Sequence, residues 1–157
     1  MTRIAISLSM CICMAAHAAD PAPGPWRVQG PGVLLQVAAQ LLWTQRDSGR
    51  ELGWEQARSY CAAIGPGWRL PAIAELSAVA AAARRDGDSS ACGGSSCQAS
   101  PLFHLNGAWF WSAAAVAPAE DSEFDRLAWG VTLASGRPTM AFRQASFGSR
   151  ALCVRSA

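Results

Sequence analysis

Four cysteines follow the N-terminal region of this 157-residue chain, and their spacing limits how the chain can fold: Cys61, Cys92, Cys97 and Cys153. In an oxidising compartment an even number of cysteines predicts disulfides, and four cysteines allow three connectivities. Cys92 and Cys97 flank the flexible sequence "GGSS", which closes a small ring readily and leaves Cys61 and Cys153 for a long-range bond. That bond would close a loop of roughly 90 residues and contribute about 4 kcal/mol in the chain-entropy model.

The start of the chain predicts export from the cytoplasm. Export would place the cysteines in an oxidising compartment, where disulfides form. Arg3 supplies a positive charge, residues 4–16 form an apolar run, and the sequence "AHA" ending at Ala18 fits a small-x-small cleavage site. This pattern predicts a cleaved signal peptide over residues 1–19 and a periplasmic or secreted protein. Neither this run nor any later one approaches the roughly 20 apolar residues of a transmembrane helix, so no membrane span is predicted.

The remaining sequence predicts one α+β domain behind a linker. Residues 20–32 are rich in proline and glycine and are expected to lack regular structure. Within the domain, residues 33–157, apolar side chains at helical spacing and terminal glycines predict one helix over 54–64 and another over 71–86. Short strand-like segments separated by turn signals follow. They predict small antiparallel sheets, because the alternation of strands and helices typical of a parallel sheet is missing.

The sequence "GWRLPAIAEL", residues 67–76, joins the two predicted helices. A residue before proline avoids the helical region, so this step is expected to be extended, and Pro71 suits a first helical turn. We expect Trp68 and Leu70 to lie in the core, since a buried Trp usually fills core volume. We expect Arg69 to point outward or to pair with a nearby carboxylate.

Six segments occur in the order and approximate spacing of a known family: "LLWTQRDSG", "GWEQARSYC", "GWRLPAIAEL", "WFWSA", "AWGVTLASG" and "ALCVR". From Leu41 to Arg155 the chain resembles the domain at the C-terminus of the Legionella collagen-like adhesin, a bacterial domain of unknown function. The resemblance implies a C-type lectin-like fold whose first helix is tied to the last strand by Cys61 and Cys153. Ala72 departs from the family pattern, which often has a Thr suited to helix capping there.

Signals for catalysis are sparse. His104 is the one histidine beyond the predicted signal peptide, and the sequence has neither a Gly-x-Ser-x-Gly motif nor a His-rich metal-binding spacing. The sulfatase-modifying oxidases, which share the lectin-like fold superfamily, use a nearby cysteine pair that Cys92 and Cys97 could mimic. However, the Arg-Gly-Gly-Ser-Trp context of those enzymes is missing. We therefore predict a protein that is not an enzyme, in which this pair forms a structural bond.

Four carboxylates lie within six residues of one loop region: Glu120, Asp121, Glu123 and Asp125. Calcium takes hard oxygen ligands of this kind, and the lectin fold usually places ligand sites in this region. The Glu-Pro-Asn, Gln-Pro-Asp and Trp-Asn-Asp signatures of calcium-dependent sugar binding are absent, which favours a solvated acidic loop. No cofactor is predicted, and a calcium site at these four residues is the alternative.

Aromatic and arginine side chains predict a ligand-binding surface. Trp111 and Trp129 could stack on sugar rings, and Arg137, Arg143 and Arg150 lie around the last hairpins, where guanidinium groups could bind carboxylated or sulfated glycans. The formal net charge of +2 and the absence of a broad basic surface give no indication of nucleic-acid binding.

Together these features predict an exported, non-catalytic binding module that recognises glycans or acts in cell-surface adhesion. The alternative is a periplasmic protein-interaction factor, either an inhibitor or an envelope-assembly accessory, whose partner is an envelope protein.

Overall fold

The computed structural model describes residues 25–116 and 126–157, which form the predicted α+β architecture. The helices are α1 (Trp54–Ile64) and α2 (Ile73–Asp86). The strands in chain order are β1 (Trp26–Gly30), β2 (Val33–Gln36), β3 (Leu41–Thr44), β4 (Ser90–Cys92), β5 (Ser95–Cys97), β6 (Trp109–Ala115), β7 (Leu127–Thr132), β8 (Arg137–Phe142), β9 (Ser149–Arg150) and β10 (Val154–Ser156). Within the described residues neither helix is long and apolar enough to cross a membrane. The predicted signal peptide, residues 1–19, lies outside them.

The first sheet contains four antiparallel strands in the order β1-β2-β3-β10. The prediction of a linker over residues 20–32 is wrong for Trp26–Gly30, which forms β1. Trp26 is buried and packs edge-to-face against Trp43 and Phe103, with ring centroids 6.3 and 4.9 Å from its own. Burial of this large aromatic ring stabilises β1. The surrounding proline and glycine residues had indicated a linker without regular structure.

The second sheet has the order β8-β7-β6-β9 and lies between the two helices. Phe110 and Val131 are cross-strand partners and share a core cluster with Leu76 of α2. Trp111 belongs to a second cluster that contains Trp54 of α1. Because successive residues of a strand point to opposite faces, α2 and α1 pack against opposite faces of this sheet.

Both predicted disulfides form. Cys61 of α1 is bonded to Cys153, which directly precedes β10, so this bond ties the first helix to the C-terminal strand. Cys92 and Cys97 join the two strands of the β4–β5 hairpin, and both are buried in the core cluster around α2. These buried positions indicate that both bonds stabilise the fold.

The helix ends follow the sequence signals. α1 ends before Gly65, and α2 ends before Gly87, whose φ of 72° lies in the left-handed region that favours glycine. Ala72 precedes α2 and provides no side-chain cap. Instead, the Ala72 amide donates a hydrogen bond to the Glu75 carboxylate at 2.7 Å, which satisfies one free backbone group at the start of the helix. That arrangement places Glu75 beside residues 68–70.

Candidate ligand-binding site

An open cleft of about 530 Å³ separates α1 from the extended segment before α2. α1 contributes Trp54, Glu55, Arg58, Ser59 and Ala62 to its lining. Residues 68–70 form the opposite wall, and Ala113 of β6 completes the lining. We call this feature the Trp68 cleft. Its volume falls within the range of small-molecule binding sites.

Trp54 organises the α1 wall of the cleft. The residue is only 5% exposed, and its Nε1–H donates a hydrogen bond to the Ser112 carbonyl at 2.8 Å. The guanidinium carbons of Arg58 and Arg143 each lie 4.8 Å from the centroid of the Trp54 ring, within the range of cation–π interactions. Trp54 therefore positions two guanidinium groups at this end of α1.

Residues 68–70 are held extended by backbone pairing with β10. The Arg69 amide donates to the Val154 carbonyl at 3.0 Å, and the Val154 amide donates to the Arg69 carbonyl at 2.9 Å. Leu70 is buried in the core, as predicted. Trp68 differs from the prediction, because it packs against the core cluster around Trp111 but remains partly exposed in the cleft. The exposed part of this ring is an aromatic surface that a ligand can contact.

Arg69 pairs with a carboxylate, which is one of the two arrangements expected from the sequence. Its Nη1 and Nη2 atoms donate to Oε2 and Oε1 of Glu75, both at 2.8 Å. The hydrogen bond from Arg69 lowers the pKa of Glu75 below its ordinary value despite partial burial, and the Ala72 amide adds to this effect. The same hydrogen bond raises the pKa of Arg69. The ion pair thus fixes this wall of the cleft to the first turn of α2.

Replacing Glu75 with Gln is expected to lower the free energy of unfolding at neutral pH by about 1 kcal/mol, because the ion pair is partly exposed to solvent. The folded-state pKa of Glu75 is depressed, so its contribution is fully present above the ordinary carboxyl pKa of about 4.3. The contribution is lost as the pH falls through the lowered value. Urea unfolding between pH 7 and pH 3 measures this effect. The free energy of unfolding should differ most between wild type and Glu75→Gln at pH 7, and this difference should become smaller at acid pH.

A difference that stays constant from pH 7 to pH 3 would contradict this account of Glu75. Glu51→Gln is the matched control, since Glu51 is an exposed carboxylate outside the helices. This control should show little loss of stability at pH 7.

The three predicted glycan-binding arginines lie at different positions around the second sheet. Arg137 begins β8 and Arg143 follows its last residue, which separates their backbones by about 20 Å along an extended strand. Arg150 lies on β9, at the opposite edge of the sheet from β8. Arg143 is held by the Trp54 ring and donates to the Leu127 carbonyl at 3.2 Å. Arg137 and Arg143 therefore do not meet through the strand that joins them.

The two predicted aromatic contacts have different positions. Trp111 is completely buried, and its Nε1–H donates to the Leu52 carbonyl at 2.7 Å. Its assignment as a ligand contact is wrong, because the indole fills the core between α1 and the second sheet. Trp129 is half-buried on β7 and is not part of the Trp68 cleft.

The predicted calcium ligands Glu120, Asp121, Glu123 and Asp125 lie outside the described residues. Within residues 25–116 and 126–157, no group of three or more His, Cys, Asp or Glu side chains is arranged to hold a metal ion.

Arg58 was not among the residues predicted to bind a ligand, although a local signal was present. Arg58 follows Trp54 by four positions, so the two side chains share one face of α1. A Trp and an Arg at this spacing can form a cation–π pair on a helix surface. No comparable sequence signal indicated that Trp68 is partly exposed. Its exposure depends on how α1 packs relative to the segment that pairs with β10.

Neither a scan against protein-family models nor a search of curated proteins found a match for this chain.

Proposed function

We propose that this protein is an exported, non-catalytic binding module that recognises glycans at the cell surface, with the Trp68 cleft as its binding site. The lining of the cleft carries the proposal: the exposed part of the Trp68 ring lies opposite an α1 wall that bears Arg58. An aromatic ring packs against the apolar face of a sugar, while a guanidinium group donates hydrogen bonds to its oxygens. Such a mixture of aromatic surface and a few polar groups is typical of ligand sites.

The architecture supports a C-type lectin-like fold as part of this proposal. Two helices pack on small antiparallel sheets, and the Cys61–Cys153 bond joins the first helix to the C-terminal strand. This is the arrangement that the resemblance to the adhesin domain implies. The two disulfides favour an oxidising compartment, hence the periplasm or the cell exterior. A fold alone does not define a ligand, so the glycan proposal depends on the cleft.

Replacing Trp68 with Ala is expected to weaken glycan binding at least about tenfold, which corresponds to about 1.4 kcal/mol. The substitution removes the exposed aromatic surface of the cleft and leaves the α1 wall in place. The measurement begins with an array of neutral, carboxylated and sulfated glycans, probed with residues 20–157 in the presence of calcium and again with chelator. Calorimetric titration of the best ligand then compares the wild type with Trp68→Ala.

Trp129→Ala is the matched control, because Trp129 is a half-buried Trp that lies outside the cleft. Glycan binding should survive this substitution. Loss of binding in Trp129→Ala but not in Trp68→Ala would overturn the assignment of the site. Absence of binding by a folded protein with both disulfides intact would overturn the glycan proposal itself.

A periplasmic protein-interaction role, as an inhibitor or an envelope-assembly accessory, is the second candidate. Within the described residues β8 is an edge strand, and it exposes Met140 and Phe142. Phe147, in the turn that follows, is 93% exposed. Exposed apolar side chains at a strand edge favour contact with another protein. Photo-crosslinking from position 147 in the cell envelope tests this role: a single partner lost in Phe142→Ser would support it, and no cross-linked protein would contradict it.

A further inference from the structure

Within residues 25–116 and 126–157, β8 is an edge strand, and its outer side carries backbone groups that β7 does not use. Residues of an antiparallel strand alternate between those bonded to the neighbouring strand and those whose N–H and C=O groups point away from it. The Arg143 amide donates to the Arg126 carbonyl at 2.8 Å, in continuation of the β7–β8 register. Arg143 is therefore bonded on the β7 side. The alternation then turns the backbone groups of Pro138, Met140 and Phe142 to the outer side.

The outer side of β8 has a defined set of donors and acceptors. Pro138 has no N–H, and the Phe142 carbonyl already accepts a hydrogen bond from the Ala145 amide at 2.8 Å. The groups that remain are the Pro138 carbonyl, the Met140 amide and carbonyl, and the Phe142 amide. No backbone group in the part of the chain that the structure describes is bonded to them. Unpaired groups on an exposed strand are a template for pairing with another chain.

This set of groups is complementary to a second copy of itself. When two β8 strands run antiparallel with Met140 opposite Met140, each Met140 amide donates to the Met140 carbonyl of the other copy. The same register sets Phe142 of each copy opposite Pro138 of the other, and the Phe142 amide donates to the Pro138 carbonyl. The N–H that proline lacks would face the carbonyl that Ala145 already occupies. The proline therefore leaves no acceptor without a donor.

The side chains in this register are also suited to each other. Met140 and Phe142 are 45% and 57% exposed, and Pro138 is exposed as well. Because alternate residues of a strand share a face, all three side chains project from one face of the sheet. Residues directly opposite each other in an antiparallel pair make side-chain contacts, so Met140 would pack on Met140 and Phe142 on Pro138. Pairing thus covers apolar surface that a single copy exposes to water.

We infer that this protein forms a homodimer by antiparallel pairing of two β8 strands, with the twofold axis at Met140. The two four-stranded sheets then form one continuous sheet of eight strands. A twofold axis is the commonest symmetry of self-complementary contacts between identical chains. The lining of the Trp68 cleft includes no residue of β8, so the pairing does not use either cleft. The inference goes beyond the proposed function and does not depend on it.

Sedimentation velocity over a concentration series of residues 20–157 tests for the dimer. We expect the wild type to pass from monomer to dimer as the concentration rises. Met140→Lys sets like charges directly opposite each other and should weaken dimerisation at least about tenfold. Val28→Lys is the matched control, because Val28 is an apolar residue of β1 that is 60% exposed, and this variant should dimerise like the wild type.

A mixture of two variants tests the position of the twofold axis. Met140→Lys and Met140→Glu should each be monomeric alone, because each sets like charges opposite each other. An equal mixture of the two should restore the dimer. Only a register with position 140 opposite itself brings the two new charges together.

Cysteine cross-linking tests the register independently of charge. Opposite residues of a hydrogen-bonded pair have Cα atoms about 5.5 Å apart, which is within the range of a disulfide. Met140→Cys should therefore give a covalent dimer under mild oxidation, while the native cysteines remain in their two disulfides. Phe142→Cys is the control, because the two copies of position 142 would lie about 13 Å apart along the strands. It should give no covalent dimer on a non-reducing gel.

Each other outcome overturns the inference. A wild type that stays monomeric at every concentration would exclude the dimer and leave the glycan proposal standing. Dissociation by Val28→Lys but not by Met140→Lys would move the interface to β1. A covalent dimer of Phe142→Cys but not of Met140→Cys would show a different register. If the wild type is monomeric and photo-crosslinking from position 147 captures another envelope protein, that protein occupies the β8 edge in place of a second copy.

Discussion

Removing the Cys61–Cys153 disulfide is expected to lower the free energy of unfolding by more than about 4 kcal/mol, because the bond restricts a long loop of the unfolded chain. The two cysteines are 92 positions apart. A domain of this size has a total stability of about 5–15 kcal/mol, so the loss would shift the melting temperature by about 10 °C or more. Urea unfolding of Cys61→Ala/Cys153→Ala against wild type measures the difference directly.

Cys92→Ala/Cys97→Ala is the matched control for this prediction. All four cysteines are buried, so the two double variants lose similar side-chain burial and differ mainly in loop length. The short bond spans only five positions, for which the chain-entropy model gives roughly 2 kcal/mol. If the two double variants lost equal stability, restriction of the unfolded chain would not explain the effect of the long bond.

Replacing Trp111 with Ala is expected to cost about 3–5 kcal/mol of stability, because it leaves a large cavity in a packed core. The variant also removes the donor to the Leu52 carbonyl, which loses its hydrogen bond in a buried position. Trp111 packs edge-to-face on Trp109, with ring centroids 4.6 Å apart, so the cavity would also disturb that contact. Thermal and urea unfolding of the purified variant measure the loss.

Trp129→Ala should cost clearly less than Trp111→Ala, because Trp129 is only half-buried. The two variants therefore compare the stability lost by deleting a buried Trp with that lost by deleting a half-buried Trp on the neighbouring strand. A loss below about 1 kcal/mol for Trp111→Ala would contradict its placement in the core, given the usual cost of deleting a buried aromatic side chain.

The helices and the disulfides were predictable because their signals are local. Apolar spacing and terminal glycines define α1 and α2, and the close Cys92–Cys97 pair leaves the long bond to the other two cysteines. β1 was missed because its five residues lie among proline and glycine. That strand depends on contacts of Trp26 with Trp43 and Phe103, which are distant in sequence.

Asp47 makes hydrogen bonds between distant parts of the chain that no sequence pattern predicts. Its sequence context indicates only a turn, yet its buried carboxylate accepts hydrogen bonds from the amides of Gly49, Asn106 and Gly107. Two of these donors lie about 60 positions away along the chain. The carboxylate joins two loops whose proximity only the folded chain reveals.

The predicted arginine site shows how secondary structure changes the distance between residues that are close in sequence. Arg137 and Arg143 are close in sequence, but an extended strand separates residues by about 3.3 Å per position, so they stand at opposite ends of β8. Arg58 and Trp54 are also close in sequence, and a helix brings them together. Composition indicates candidate residue types for a binding site, whereas the secondary structure decides which of them meet.

The indole signals of the seven Trp residues provide the most direct test of the Trp68 cleft as the binding site. In a nitrogen-15 correlation spectrum of labelled protein, each assigned indole N–H reports on its own part of the structure. Addition of the best-bound glycan should shift the signals of Trp68 and Trp54, which line the cleft, and leave those of Trp26 and Trp43 in the other core cluster unchanged. A shift of Trp129 with Trp68 unchanged would contradict the account and move the binding site to the β7 region.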